Sequence, residues 1–300
     1  MQKQITFILL FLLLSSASFA QVAISNDGSP PDNAAMLEVK SSTKGILPPR
    51  MTTTQMNSIA SPAAGLMVFN ITLSTICWFN GTTWQPGINR DGKSCGSSFY
   101  EGKNYSTVII GMQCWMTENL NAGVAILGSQ NQTNNGTLEK YCYDNNTANC
   151  DVYGGLYQWA EVVQYLNGAT NTNPWNPVPT GNVQGICPMD FHLPTDAEWT
   201  SLSTYLGGDA VAGGKMKETG TTHWAAPNTD ATNSSGFTAL PGGDRYNASF
   251  GDLTIVAYFW SASVSSPQFA WSRITLNDGA YSFRVLGLKD LGFSVRCVRD

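Results

Sequence analysis

Seven cysteines, spread from Cys77 to Cys297, constrain the fold of this 300-residue chain more than any other feature. None of them forms a Cys-x-x-Cys pair, the spacing typical of structural zinc sites and of thioredoxin-like redox motifs. In an exported protein such cysteines are most often disulfide partners. Because seven is an odd number, at least one cysteine is free, pairs between chains or binds something else.

The first twenty residues predict that the chain is exported. Lys3 is followed by an apolar stretch from Ile5 to Leu14 and by small residues ending at Ala20, which is the layout of a cleavable signal peptide. The apolar stretch is about half as long as a bilayer span requires, and no later segment is apolar enough to cross a membrane. We therefore expect a secreted or cell-surface protein with no transmembrane segment.

Sparse charge narrows the classes of partner. Charged residues make up 12% of the chain, and the formal net charge of −5 becomes −6 when Lys3 leaves with the signal peptide. A mildly acidic chain gives no electrostatic reason to expect nucleic acid as a partner. Asn, Thr, Ser and Gly are abundant, and a polar, uncharged surface is common where proteins meet sugars or other cell-surface material.

The mature chain divides into two unlike regions. In residues 21–88 the apolar residues come in short bursts between turn formers, which predicts a small, β-rich, stalk-like region. Residues 89–94 have the composition of a linker. About two hundred residues then follow, from Cys95 to Asp300, enough for one substantial hydrophobic core.

Two helices are predicted in the second region. The first runs from about Gly155 to Tyr165, where apolar residues recur at helical spacing. The second begins at Thr195, whose side chain and that of Glu198 form a capping box, and ends at Gly207.

The rest of this region is predicted to form strands and loops. The candidate strands are Val108 to Met116, Ala257 to Trp260, Phe269 to Leu276, Tyr281 to Leu286 and Gly292 to Val298. In the last strand we expect Phe293, Val295 and Cys297 on one face and Ser294 and Arg296 on the other. Helices followed by strands predict an α+β domain.

Six motifs in the second region occur together and in order. They are GMQCWMTENLN, YGGLYQWAEVVQY, GICPMDFHLPTDAEWTSLSTYLGG, GGKMKETGTTHWAAPNTDATNSSGFTALPGGDR, FWSAS and LGFSVRCVRD. From Cys95 to Asp300 the chain resembles the Fibrobacter succinogenes major paralogous domain. It departs from the family at Asp190 and Phe191, where Cys-Pro-Met-Asp-Phe-His replaces the usual Cys-Pro-Xaa-Gly-Trp-His. This change affects the local turn and its aromatic packing.

The N-terminal region carries a second resemblance. The segment AMLEVKSSTKGILPPRMTTTQMNSIASPAAGLMVFN, followed by CWFNGTTWQPG, is similar to the repeat-like N-terminal regions of bacterial surface and tail-fibre-like proteins. Only one copy is present. The resemblance raises the hypothesis of a homotrimer formed through this region.

The first resemblance implies a C-type-lectin-like fold with two helices and a mainly antiparallel sheet. In that fold a cysteine before the second helix is bridged to one in the final strand, and Cys187 and Cys297 occupy those places. A bridge across this loop of about 110 residues stabilises the fold by roughly 4 to 5 kcal/mol in the chain-entropy model.

The other cysteines leave alternatives open. Cys142 and Cys150 flank a turn-rich loop short enough for a local bridge. Cys95 and Cys114 form the next predicted pair and leave Cys77 unpaired. A bridge between Cys77 and Cys95 is the alternative, because sequence does not determine connectivity.

Residues of the long loop and the strands beside it are the ligand candidates, since the lectin-like fold usually presents ligands there. The predicted ligand contacts are Trp224, Asn228, Asp230, Asn233, Asp244, Arg245 and Tyr246. Aromatic faces and amides are the usual components of a sugar or peptide pocket. Phe259, Trp260 and Trp271 lie in the same region, although Trp260 and Trp271 also fit a core position.

Two of these groups have a purely structural alternative. Asn228, Asp230 and Asn233 are weak candidates for a calcium site, but Asx turns explain them without a metal, and the sugar-binding triplets of C-type lectins are absent. Asp244 and Arg245 form either a loop ion pair or a ligand contact. We expect no other cofactor.

No catalytic constellation is predicted. Cys187 already has a structural partner, and a packed, hydrogen-bonded His192 is the favoured interpretation of that residue. His223 has no Asp or Glu near it in sequence to orient it. Helix capping accounts for Glu198, and nothing brings together the two carboxyls that a glycosidase needs.

The sequence thus predicts an exported bacterial surface or secreted recognition protein that binds a glycan or a cell-surface protein non-covalently. A first alternative is the structural or adhesive tip of a fibre-like assembly. An enzyme related to the formylglycine generators is a second alternative, without support from individual residues.

Overall fold

The computed structural model of the chain describes residues 21–25, 27–73, 75–86 and 94–300. The predicted signal peptide and nearly all of the predicted linker lie outside these residues. The chain splits into two compact units, one that ends at Arg50 and one from Met51 to Asp300. Among the described residues no helix is long and apolar enough to cross a membrane.

The first unit contains one small sheet. Strands β1 (Val22–Ser25) and β2 (Leu37–Lys40) run parallel, with Val22 opposite Leu37. Asp32 shapes the connection by accepting a 2.8 Å hydrogen bond from the Ala34 amide. None of the described residues from 21 to 50 is buried.

The second unit begins with a small sheet around a short helix. Its elements are β3 (Arg50–Met51), α1 (Thr53–Asn57), β4 (Met67–Asn70), β5 (Thr75–Phe79) and β6 (Trp84–Pro86). Thr52 caps α1 through a capping box with Gln55. Met56, Val68, Leu73 and Cys77 form the core of this subdomain.

A five-stranded sheet follows, with strand order β12-β18-β9-β8-β7. Its strands are β7 (Ser97–Tyr100), β8 (Lys103–Ile110), β9 (Gln113–Met116), β12 (Phe191–His192) and β18 (Val298–Arg299). The single strand predicted from Val108 to Met116 is therefore wrong. The chain turns back at Gly111, whose φ of +59° favours glycine, and a Cβ there would lie 2.8 Å from the ring of Tyr205.

A second five-stranded sheet has the order β14-β13-β15-β16-β17. Its strands are β13 (Gly242–Tyr246), β14 (Ser249–Leu253), β15 (Val256–Ser266), β16 (Phe269–Leu276) and β17 (Ser282–Leu288). Strand β16 has the predicted bounds, and the strand predicted at Ala257 lies within β15. The one predicted from Tyr281 to Leu286 corresponds to β17. A separate parallel pair consists of β10 (Val124–Ile126) and β11 (Glu139–Tyr141).

The final segment differs from its prediction. Only Val298 and Arg299 form a regular strand there, while Phe293 and Ser294 make isolated bridges to Tyr157 and Phe259. Ser294 and Arg296 are as buried as Phe293, Val295 and Cys297. Side chains on both sides of this segment are therefore packed in the interior of the domain.

Four further helices are short: α2 (Thr147–Tyr153), α3 (Trp159–Val162), α4 (Asp196–Tyr205) and α5 (Asp209–Met216). Helix α4 has the predicted capping box, in which the Thr195 amide donates to Glu198 Oε2 at 2.8 Å. The helix predicted from Gly155 to Tyr165 is wrong over most of its length. Leu156 and Tyr157 pair as β-bridges, and Gln164 and Tyr165 adopt left-handed backbone conformations.

The described residues thus form an α+β fold with more helices than the two predicted. Two apolar clusters fill it, one around Trp115, Trp199 and Phe237 and the other around Trp159 and Trp260.

Disulfides join Cys95 to Cys114, Cys142 to Cys150 and Cys187 to Cys297. Cys77 is free and buried, so its alternative pairing with Cys95 is wrong.

Candidate functional site

Most of the predicted aromatic contacts lie in the core. Trp224 is 1% exposed, and its indole Nε1 donates to the Ala239 carbonyl at 3.0 Å. Phe259 and Trp260 are equally buried. Trp271 is partly exposed, with the Arg284 guanidinium 3.2 Å above its ring. We therefore do not retain Trp224 as a ligand contact.

The Asx-rich loop is held by hydrogen bonds between its side chains and nearby backbone groups. Asn228, Asp230 and Asn233 all have positive φ. The Asn233 side chain accepts from the Thr238 amide at 2.9 Å, and the buried Asn228 donates to the Glu218 and Gly220 carbonyls. Asp230 is exposed. These contacts match the Asx-turn interpretation, while calcium binding stays a prediction.

Asp244 and Arg245 do not form the ion pair that their adjacency suggested. They are neighbours on strand β13, so their side chains leave opposite faces of the sheet. Arg245 is buried and holds the preceding loop by donating to the Gly128 carbonyl at 2.9 Å and the Gln130 carbonyl at 3.2 Å. Tyr246, at 52% exposure, is the most accessible of the three.

Asp244 is set in an unusual environment. Burial, followed by the nearby charge of Asp252, raises the pKa of Asp244 to about 6. This direction is opposite to the one that an ion pair with Arg245 would give, because a nearby cation favours the ionised carboxylate.

Several cations are buried, which the sequence did not predict, and three of them donate to backbone carbonyls of neighbouring segments. Lys217 Nζ donates to the carbonyls of Thr229, Leu276 and Gly279 at 2.8 to 2.9 Å, and burial lowers its pKa to about 8. Arg296 donates to the Asn119 side chain and to three backbone carbonyls. Nothing in the composition distinguishes such residues from surface cations.

Lys289 is the third of these cations. Its Nζ lies 4.2 Å from the Trp159 ring centroid and donates to the Pro267 carbonyl at 3.0 Å. Burial lowers the pKa of Lys289 to about 8. All three cations donate to backbone carbonyls of other segments, a structural use of charge rather than a site open to a ligand.

His192 is packed and hydrogen-bonded, as the favoured interpretation had it. Its Nδ1 lies 2.7 Å from Asp300 Oδ1, and its Nε2 lies 2.8 Å from Glu198 Oε1. Burial alone lowers the pKa of His192, but the hydrogen bonds and charges of the two carboxylates outweigh it and raise the pKa above its ordinary value. Glu198, the capping residue of α4, therefore has a second role in holding β12.

His223 has an acidic partner that its sequence neighbourhood did not suggest. Its Nδ1 lies 2.8 Å from Glu218 Oε2. The expectation that nothing orients His223 is wrong, because the loop folds back over the four intervening residues. No nucleophile is paired with either histidine. Among the described residues no group of three or more His, Cys, Asp or Glu side chains could hold a metal ion.

A cleft of about 1460 Å³ lies within the second unit, between the small sheet and helix α4. One wall carries Asn57 and Trp84, and the other carries Glu198, Thr204 and Tyr205. None of the predicted ligand contacts lines it. No local sequence pattern predicts this cleft, because it forms only when two distant segments pack together.

A different surface stands out in the first unit. Large apolar side chains there are exposed on a two-stranded sheet and on the segment after it: Val22, Ile24, Met36, Leu37, Val39, Ile46 and Leu47. Leu47 is 83% exposed and Met36 is 69% exposed. A lone two-stranded sheet is marginally stable in water, so this arrangement calls for a partner surface.

Three disulfides in an α+β fold fit an extracytoplasmic protein. The Fibrobacter succinogenes major domain matches residues 108–299, about two thirds of the chain, and the chain belongs to this family. A phage tail like trimerisation region matches residues 24–103. Both resemblances inferred from the sequence are confirmed, and together they indicate a surface or fibre-like protein. No curated protein and no solved structure matches the chain.

Proposed function

We propose that the protein is exported and forms a homotrimer through its N-terminal region, presenting a C-type-lectin-like domain that binds a glycan or a cell-surface protein non-covalently. The observation that carries the proposal is the row of exposed apolar residues between Val22 and Leu47, within a region matched by a trimerisation family. Burying these side chains between three copies removes apolar surface from water.

Three features support a lectin-like recognition domain. The bridge from Cys187 to Cys297 ties the segment before α4 to the end of the chain, as the resemblance implied. The surface is polar with few charges, which suits hydrogen bonding to neutral groups. Tyr246 and Asp230 are the predicted contacts that remain exposed.

Light scattering coupled to size-exclusion chromatography tests the trimer. We expect residues 21–300 to elute with three times the mass of one chain. Leu37→Asp combined with Leu47→Asp should give monomers, because charges at these positions oppose burial. Val178→Asp is the matched control, since Val178 is 71% exposed but lies in the second unit. A monomer for the unaltered chain contradicts the proposal.

The fibre-tip alternative is favoured by the same trimerisation match. It differs in requiring no specific soluble ligand. A glycan and cell-wall binding screen, run with and without a chelator, separates the two. If a well-folded trimer binds nothing in the screen, the fibre-tip alternative is favoured. If it binds and a chelator abolishes the binding, calcium is part of the site.

A further inference from the structure

The cleft between the small sheet and α4 is built from two layers of side chains. On the α4 side, Glu198, Ser201 and Tyr205 recur at intervals of three and four residues and share one face of the helix. On the opposite side, Trp84 contacts Phe79 edge to face, with ring centroids 5.5 Å apart. At about 1460 Å³, the cleft exceeds the volume typical of a site for one small molecule. A cleft of this volume suits an extended ligand.

Uncharged polar groups dominate its walls. The side chains of Thr54 and Asn57 on α1 and Thr204 on α4 are exposed, and none makes a hydrogen bond within the described part of the chain. Hydroxyls and amides both donate and accept. Combined with the half-buried ring of Trp84, they can satisfy a ligand that alternates hydroxyls with apolar C–H faces.

The charges of the cleft select against anions. Asp190, Glu198 and Asp300 line it, while the lining cations are Arg299 and His192. Arg299 is engaged with the Cys95 carbonyl, and His192 is engaged with two of the carboxylates. Three carboxylates against Arg299 and His192 give the lining a net negative charge, and like charges repel an acidic ligand.

From this arrangement we infer that the cleft is a binding site for a neutral oligosaccharide. The inference rests on the proposed recognition function and names its ligand class and its place. Sugar rings stack on Trp84 and, on the facing wall, meet Tyr205. Their hydroxyls exchange hydrogen bonds with Asn57 and Thr204. The site is distinct from the long-loop residues that the lectin-like fold suggested.

Isothermal titration calorimetry on residues 21–300 tests the inference. The probes are three neutral hexasaccharides of different linkage (maltohexaose, mannohexaose and chitohexaose), with hexagalacturonate as the acidic comparator. We expect at least one neutral probe to bind and hexagalacturonate not to bind. Trp84→Ala should weaken that binding by tenfold or more, as truncation of a buried aromatic anchor commonly does.

Two controls make the result specific. Trp78→Ala removes an indole from the same small sheet, on the opposite face and outside the cleft, and should leave the affinity unchanged. Thr204→Arg places a bulky side chain inside the cleft and should abolish binding. Ala210→Arg makes the same change on the exposed part of α5 and should not.

The outcomes separate this inference from the proposed function. Neutral binding that survives both Trp84→Ala and Thr204→Arg overturns the cleft as the site, while recognition itself stands. Binding of hexagalacturonate in preference to the neutral probes overturns the ligand class. If no probe binds, the inference is overturned, and the trimer remains testable by its mass.

Discussion

The two units of this chain achieve order by different means. Residues 21–50 contain no buried residue among those described, whereas the described part of the second unit holds three disulfides, two large apolar clusters and five buried cations. A segment without a core does not offset the conformational entropy lost on folding. The second unit therefore has a core of its own, and the proposed trimer would supply the N-terminal unit with the apolar contacts that it lacks.

The largest expected effect is the loss of the bridge between Cys187 and Cys297. Replacing both cysteines by alanine should lower the free energy of unfolding by about 5 kcal/mol, because the bridge closes the longest loop. The matched control replaces Cys142 and Cys150, whose loop is short, and should cost about half as much. Urea unfolding of both variants measures the difference, and equal losses contradict the loop-length account.

Removing Arg296 should have the next largest effect. Arg296→Leu leaves the buried carbonyls of Met116, Phe237 and Thr238 without a donor, a loss of about 3 to 5 kcal/mol. Chemical denaturation measures it. Arg284→Leu, at a partly exposed position on the same domain, should cost under about 1 kcal/mol. If the two variants lose similar amounts of unfolding free energy, Arg296 does not stabilise the fold through these three carbonyls.

Lys217 should contribute less, since it holds two neighbouring segments by three hydrogen bonds to carbonyls. Lys217→Met removes the donor shared by the Thr229, Leu276 and Gly279 carbonyls and should cost about 2 to 3 kcal/mol. Lys215→Met is the control, because Lys215 donates to one carbonyl only. Differential scanning calorimetry compares the two melting temperatures, and an unshifted Lys217→Met variant contradicts a role in loop closure.

The smallest expected effect is a pH dependence from His192. The pKa of His192 is raised in the folded protein, so its contribution to stability is fully present below the unfolded pKa of about 6.5 and is lost as the pH rises through the folded value. Unfolding measured from about pH 5 to about pH 9 should show this decline. His192→Gln should remove it and His223→Gln should retain it. A decline that persists in His192→Gln assigns the effect to another group.

Local sequence signals predicted some of these features and tertiary packing determined the rest. The capping box at Thr195 and the bounds of β16 follow from patterns within a few residues. The helix predicted around Trp159 does not form over most of its length, because Leu156 and Tyr157 make β-bridges to distant residues. For the candidate site, Trp224 and Arg245 had surface-like surroundings in sequence, yet both are buried by loops that fold over them. The cleft brings together Trp84 and Thr204, which no local pattern relates.

Hydrogen–deuterium exchange of residues 21–300, measured at protein concentrations above and below trimer dissociation, tests the contrast between the two units most directly. We predict that amides from Val22 to Leu47 are protected only in the trimer, while those of β15 and β16 are protected at both concentrations. Equal protection of Val22 to Leu47 in the monomer, or its absence at every concentration, would contradict the account.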